Sequence, residues 1–210
     1  MKLHGYFRSS AAWRVRIALN LKGLRVEHVF HHLRHGEQRA PAYLALNPQG
    51  LVPALEFDDG TVLTQSLAIV EWLEECHPEP ALLPKAALGR AKIRAFAQAI
   101  ACDTHPVQNL KVLNRLRELG HDADVALGWA ATANIDGLAA CEQLVSSEPG
   151  PFCFGDRPSL ADICLVPQLG NAGRFKVEVG RFPRLLRAEA AAMELAAFRE
   201  AAPDRQADAE

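Results

Sequence analysis

The chain has 210 residues, enough for one large domain or two small ones with a sizeable core, and its 23 basic against 25 acidic side chains leave a net charge of -2 and a pI near 6.4. That balance gives no electrostatic reason to expect nucleic acid or an anionic membrane surface, which leaves small molecules or proteins as partners. No apolar stretch reaches the length of a membrane span, residues 1–6 lack the hydrophobic region of a signal peptide, and Cys76, Cys102, Cys141, Cys153 and Cys164 form no C-x-x-C pair, so a cytoplasmic protein with reduced, mostly buried thiols is expected.

In chain order, residues 2–6 and 25–30 read as strands around an amphipathic helix, with Trp13, Ile17 and Leu21 on its apolar face and Arg14 and Arg16 off it as solvated charges. A short helix near 42–46 follows, then strands over 54–57 and 62–64 joined by the turn Asp58-Asp59-Gly60. Ser66 caps the next helix, whose apolar side carries Ile69, Val70 and Leu73, and His77-Pro78-Glu79-Pro80 ends it. The order β-α-β, α, β-β-α is that of a thioredoxin-like domain over residues 1–80, with a proline-bearing linker at 81–88.

Residues 89–210 carry helical spacing throughout and read as an all-helical domain. Ile93, Phe96, Ala97 and Ile100 share one face, Pro106 kinks or interrupts that helix, and Val107, Leu110 and Leu113 continue it; Leu138, Cys141, Leu144 and Val145 mark another face. Ser159-Leu160-Ala161-Asp162 resembles a capping box, with Asp in the reciprocal position, and opens a buried helix. The stretch 201–210 is small, polar and charged, so a loose end is expected.

Three places in the first domain bear on a ligand. Ser9 and Ser10 stand where a strand meets a helix, so one of them either caps the helix or adds its hydroxyl to N-terminal amides that stabilise an anion. Val52 precedes Pro53 at a strand start, which leaves its backbone outside the ladder on one side for a peptide-like partner. Gln65-Ser66 opens a helix, where a plain cap and a carboxylate site have equal weight. Two helix starts and a proline-fixed strand edge in one small domain suit a short anionic peptide. The run His31-His32-Leu33-Arg34-His35 is read as a solvated loop, not a metal site, since adjacent histidines in a strand point to opposite faces and no ligand-spaced cysteine or carboxylate accompanies them.

The residues also resemble a known family. Ser9-Ser10-Ala11-Ala12-Trp13-Arg14-Val15-Arg16-Ile17-Ala18-Leu19, Asn47-Pro48 with Val52-Pro53, Gln65-Ser66-Leu67-Ala68-Ile69, Pro106-Val107-Gln108-Asn109-Leu110 and Leu165-Val166-Pro167-Gln168 with Arg174-Phe175 are similar to the zeta class of glutathione transferases over nearly the whole chain. The resemblance implies glutathione as cofactor, with its thiol by Ser9 and Ser10, its cysteinyl backbone on Val52, its γ-glutamyl end at Gln65 and Ser66, and Gln38, His105 and Asn109 completing the site. It implies an acidic maleyl keto acid as substrate, lying between the domains, and a homodimer. Isomerisation then proceeds by thiolate addition to the cis double bond, rotation and elimination, with Arg8 and Arg174, and more weakly Lys111, facing the carboxylates and the transient enolate. The family's usual cysteine is Ala11 here, so the serine hydroxyls and the helix terminus are left to ionise the thiol. A general transferase or dehalogenase acting on halo acids, and a non-catalytic glutathione-binding protein, remain the alternatives.

Overall fold

The computed structural model describes residues 1–210 and divides into two compact units, Met1–Ala81 with Glu194–Glu210, and Leu82–Met193. In the first unit, β1 (Lys2–Gly5), α1 (Ser10–Leu21) and β2 (Glu27–Phe30) are followed by α2 (Pro41–Leu46), the pair β3 (Ala54–Glu56) and β4 (Val62–Thr64), and α3 (Ser66–Cys76). The sheet order is β2-β1-β3-β4. β1 and β2 are parallel, which requires a crossover, and α1 supplies it. β3 runs antiparallel to both β1 and β4. This is the thioredoxin-like order that the alternation of strands and helices predicts.

Register decides which loops meet. Gly5 pairs with Phe30, His4 with Ala54, and Ala54 with Thr64. The C-terminal ends of β1, β2 and β4 and the N-terminal start of β3 therefore lie at one end of the sheet. At the other end, the 58–60 turn forms as expected, with Gly60 at φ 84° and the Thr61 N–H donating to Asp59 Oδ1 at 2.8 Å.

Two expectations about this unit are corrected. Arg14 and Arg16 are not solvated: they are 1% and 4% exposed. The long stems lie in the core while the guanidinium groups reach polar partners, Arg14 on Ser66 Oγ at 3.3 Å and Arg16 on the Phe7 and Ala201 carbonyls at 3.0 Å each. Nor is the stretch 201–210 loose. It leaves α9 (Ala196–Ala201), which packs on α1, and is tied down by the Phe7 N–H on Asp208 at 2.9 Å and by a His32–Glu210 pair. The last residues thus belong with the thioredoxin-like unit instead of ending an all-helical domain begun at 89.

The second unit is helical, as the spacing predicts. α4 (Ala87–Gln98) widens into a π turn over Ala99–Thr104, a tight turn over Pro106–Gln108 follows, and α5 (Leu110–Glu118) resumes. The interruption expected at Pro106 is thus spread over the preceding residues, because proline offers no N–H to the helix before it. α6 (Ala123–Leu144) passes close by: a Cβ on Gly137 would sit 2.0 Å from Thr104 Oγ1. α7 (Leu160–Arg174) is buried along most of its length, and α8 (Pro183–Met193) closes the unit. The capping box forms as read: the Ser159 N–H donates to Asp162 Oδ2 at 2.8 Å and the Ala161 N–H to Ser159 Oγ at 3.2 Å. Asp162 also accepts the Cys153 N–H at 2.8 Å, so its buried carboxyl, whose pKa burial raises, has several donors. The linker expected at 81–88 is partly core, since Leu82 and Leu83 are buried and the Leu82 carbonyl accepts the Leu160 N–H at 3.1 Å.

Candidate functional site

At the loop-bearing end of the sheet the chain leaves β1 through Tyr6, Phe7 and Arg8 and enters α1 at Ser9. Ser9 is the N-cap: its Oγ accepts the Ala12 N–H at 3.2 Å, and its carbonyl accepts the Trp13 N–H at 2.9 Å. An accepting hydroxyl still has its own proton to give, so the cap does not exclude a thiolate; it fixes the oxygen from which the proton would be donated. The first-turn amides of α1 precede its first intrahelical bond and carry the positive end of the helix dipole. Ser10 differs. It is 2% exposed, and its buried Oγ has no hydrogen-bond partner. Of the two serines only Ser9 is half-exposed at the helix start, and Ala11 beside it is half-buried as well. The Arg8 guanidinium lies 5.9 Å from the centre of the Phe7 ring.

Val52 stands two residues before β3, outside a ladder that begins at Ala54, and its side chain packs with Tyr6, Phe7 and Tyr43. The backbone leading to it is fixed by Tyr43, Asn47, Gln49 and Gly50, of which the sequence reading names only Asn47, as part of the family likeness and with no role. The Leu51 carbonyl accepts both Tyr43 OH at 2.6 Å and Asn47 Nδ2 at 2.7 Å, while Asn47 Oδ1 takes the Gln49 N–H at 3.1 Å. Gly50, at φ 60°, completes this turn, where a Cβ would come within 3.0 Å of the Gln38 carbonyl. The signal available was Asn47-Pro48-Gln49-Gly50, a turn sequence in which Asn bonds backbone two residues on.

α3 starts beside Val52, because Ala54 pairs with Thr64. The expected Ser66 cap is not made: Gln65 occupies the N-cap without a side-chain bond to the helix, and Ser66 is the first helical residue. The helix takes Gln65 as its cap position, which puts Ser66 inside the first turn, where its hydroxyl accepts from the Arg14 guanidinium. The first-turn amides of α3 thus have no side-chain cap. Gln65 sits at φ 68°, ψ 117°, a conformation costly for a residue with a side chain, and its Nε2 donates to Gln49 Oε1 at 2.8 Å. Gln38 is half-buried in the loop after β2, with Nε2 donating to the Leu33 carbonyl at 3.3 Å.

The histidine run is not a plain solvated loop. His31 Nε2 and His4 Nδ1 are hydrogen-bonded at 2.9 Å, His4 Nε2 meets Glu56 Oε2 at 2.9 Å, and the His31 ring packs on Tyr43 with centroids 4.3 Å apart. His32 caps its own turn and pairs with Glu210.

His105, Asn109, Lys111 and Arg174 belong to the second unit. His105 links the π turn to the Pro106 turn, and Asn109 caps α5, accepting the Lys111 and Val112 amides at 3.1 and 3.3 Å. Arg174 ends α7, and its neighbour Phe175 packs against a small core of Leu113 from α5 with Ala126 and Ala130 from α6. Lys111 is exposed.

Seven of the expected residues, Arg8, Ser9, Ser10, Gln38, Val52, Gln65 and Ser66, therefore come from the loops at one end of a single sheet, two of which run into helix starts. Such an end can hold an extended anionic peptide by strand pairing and by amide donors. Residues 8–76 match the family described as Glutathione S-transferase, N-terminal domain, in agreement with that strand order and those two helix starts. The chain is 50% identical over 210 residues to a maleylacetoacetate isomerase of Pseudomonas aeruginosa, with 99% of this chain and 98% of that one covered. It is 46% identical, at a TM-score of 0.97 with both chains fully covered, to a maleyl pyruvate isomerase described in its holo structure as a bacterial zeta-class glutathione S-transferase. A third relative, maleylacetoacetate isomerase from Anaeromyxobacter dehalogenans 2CP-1 with bound dicarboxyethyl glutathione and citrate in the active site, is 47% identical at a TM-score of 0.90, with 100% of this chain and 97% of that one covered. The chain belongs to the zeta class of glutathione transferases.

Proposed function

We propose that this protein is a glutathione-dependent cis-trans isomerase of a maleyl keto acid, converting maleylacetoacetate or maleylpyruvate to the fumaryl isomer, in the breakdown of aromatic compounds. The observation that carries the reading is the convergence at one sheet end of the Ser9-capped start of α1, the backbone of Val52 outside the β3 ladder and the start of α3 without a side-chain cap. Likeness over the full chain to two isomerases, and to a third with a dicarboxyethyl adduct of glutathione in its active site, supports it.

Glutathione, when bound, supplies a thiolate whose reversible addition to the cis double bond turns that bond single and free to rotate. This chain's own residues do the rest. Ser9 donates its hydroxyl proton toward the sulfur, and the first amides of α1 add a fixed positive potential, so that a thiol with an ordinary pKa of about 8.5 is ionised at neutral pH without the cysteine that Ala11 replaces. Val52 pairs with the peptide backbone, while Gln65, Ser66 and the open amides of α3 receive the γ-glutamyl end. Gln38, His105 and Asn109 complete the binding set. Arg8 and Arg174 hold the carboxylates of the keto acid and the charge that builds on its oxygen, with Lys111 a lesser third. The burial of Ser10 and its place inside the first turn of α1 leave it a supporting part rather than the donor. We take the working form to be a homodimer in the cytoplasm.

Absorbance assays with maleylacetoacetate and with maleylpyruvate, each with and without glutathione, test the reading. Isomerisation that needs glutathione but does not consume it is the expected result. Product carrying covalent glutathione would favour a transferase, and binding without turnover a non-catalytic protein.

A further inference from the structure

The segment between β1 and the Ser9 cap is short; one turn bond lies within it, from the Ser9 N–H to the Tyr6 carbonyl at 3.0 Å, and the Phe7 backbone at its middle is held from outside. Phe7 is gripped on both sides of its backbone: its N–H donates to Asp208 Oδ2 at 2.9 Å, and its carbonyl accepts from Arg16 at 3.0 Å. The same guanidinium reaches the Tyr6 carbonyl at 3.5 Å and, through Nε, the Ala201 carbonyl at 3.0 Å. Arg16 is buried, which brings its pKa down to about 10 while the Asp208 carboxylate pulls it back up. The chain beyond α9 is itself held in place. Gln206 Nε2 donates to the Glu200 and Ala202 carbonyls at 2.9 Å each, and His32 pairs with Glu210.

We propose that residues 202–210 form a strap that orients the Arg8-Ser9 segment, with Asp208 as a positioning residue for the glutathione thiolate. The inference rests on the glutathione reading above. Ser9 follows Phe7 by two residues, so the direction of its Oγ depends on how the Phe7 and Arg8 peptide planes are turned. The two charged groups hold successive peptide planes, Asp208 the Tyr6–Phe7 plane through the Phe7 N–H and Arg16 the Phe7–Arg8 plane through the Phe7 carbonyl, and charge-assisted hydrogen bonds are shorter and more directional than neutral ones. Without the Asp208 acceptor the Phe7 N–H must find water or turn away, and the Tyr6–Phe7 plane is then held only at its Tyr6 carbonyl, by the Ser9 N–H at 3.0 Å and by Arg16. The cap on Ala12 would survive that change, since it lies within α1. What drifts is the entry of the chain into the helix, and with it the angle from which the Ser9 proton reaches the sulfur. An angular error of this kind costs turnover more than it costs binding.

The test compares Asp208→Ala and Asp208→Asn with the parent, all as full chains, in two readouts: the thiolate absorbance of bound glutathione titrated against pH, and kcat and KM for isomerisation. Asp208→Ala is expected to move the thiol titration upward by about half a pH unit or more and to lower kcat about tenfold with KM for the keto acid within about threefold. Asp208→Asn keeps an oxygen that accepts the Phe7 N–H, so it should recover most of both. A folded Asp208→Ala protein with an unchanged titration and a kcat within about threefold of the parent overturns the proposal. So does an Asn variant no better than Ala when both lose thermal stability equally, since that marks a fold anchor only. Should the Ala variant fail to fold, the Asn variant decides: parent-like titration and turnover sustain the proposal, and a folded Asn protein with shifted titration and depressed kcat overturns it. The titration needs glutathione alone, so a parent that binds it as thiolate yet turns over neither maleyl acid overturns the isomerase reading while the strap is still judged by its titration.

Discussion

Ser9 caps α1 with the same oxygen that we propose for the ligand, and the two roles predict different losses. Removing the hydroxyl in Ser9→Ala takes away the acceptor for the Ala12 N–H, worth about 1 kcal/mol of stability for a typical N-cap. In the proposed function it would also remove one donor from a developing anion, for which a fall in turnover of about 10²-fold is expected. Glutathione affinity should fall far less, because Val52, Gln65 and the α3 amides are untouched. Steady-state kinetics beside a glutathione titration separate the two, and turnover within about threefold of the parent would assign the thiolate to the helix amides. Ala11 gives the complementary experiment. It is half-buried in the first turn of α1, two residues after Ser9. If hydroxyl and helix terminus already ionise the thiol, Ala11→Cys changes turnover by less than about tenfold, a barrier change under 1.4 kcal/mol. A gain of a hundredfold, with a matching drop in the titrated thiol pKa, would show that this chain lacks a group it needs.

At the scale of elements, the strain lies where α3 begins. Gln65 holds φ 68° without a glycine's freedom, a state that costs about 1–3 kcal/mol, and it keeps the hydrogen bond to Gln49. Gln65→Gly should therefore leave thermal stability unchanged or raise it by up to about 1 kcal/mol, the greater freedom of the unfolded glycine offsetting part of the relief. KM for glutathione should rise several-fold, about what loss of one or two hydrogen bonds is worth. A melting curve and a glutathione titration on the same sample check both; a variant less stable than the parent would show that the strain is not at this residue. The elements themselves are mostly legible in the sequence. Alternation marked β1 to β4, Asp58-Asp59-Gly60 marked the turn, and Ser159 to Asp162 marked the buried start of α7. The Ser66 cap expected from sequence is not made because the helix takes Gln65 as its cap position, and the Ser66 hydroxyl instead accepts from Arg14, fifty-two residues earlier in the chain.

At the scale of the whole chain, acid should loosen the first unit through its paired histidines. The His31 pKa is held below its usual 6.5 by burial and then by the neighbouring His4, with Glu37 pulling the other way. Between the depressed value and 6.5 the unfolded chain binds more protons than the folded one, so stability rises with pH across that window. The contribution of His31 is fully present above 6.5 and is lost as the pH falls through the window. Melting temperatures measured from pH 8 to pH 5 should decline below about 6.5, and His31→Gln should flatten that decline. An unaltered profile in the variant would place the acid sensitivity elsewhere, with His28 the next group to test, since burial and then Arg16 hold its pKa below 6.5 as well.

Sequence by itself determined the order of the strands and helices, the helical character of the second unit and the likeness to the zeta class, because periodicity, turn residues and the Ser9 to Leu19 run are local in the chain. The identity of the candidate residues was equally local; which of them stand together was not. Only the tertiary structure decided that the starts of α1, β3 and α3 share one end of the sheet, because that follows from the pairing of His4 with Ala54 and of Ala54 with Thr64. It also decided that Arg14 and Arg16 are buried and that residues 202–210 return to the first unit. The partners responsible are Ser66, Phe7 and Ala201 for the arginines, and Phe7 and His32 for the returning segment. Hydropathy reads a charged side chain as solvated unless a distant carbonyl, hydroxyl or amide is known to meet it, and such meetings are set by folding.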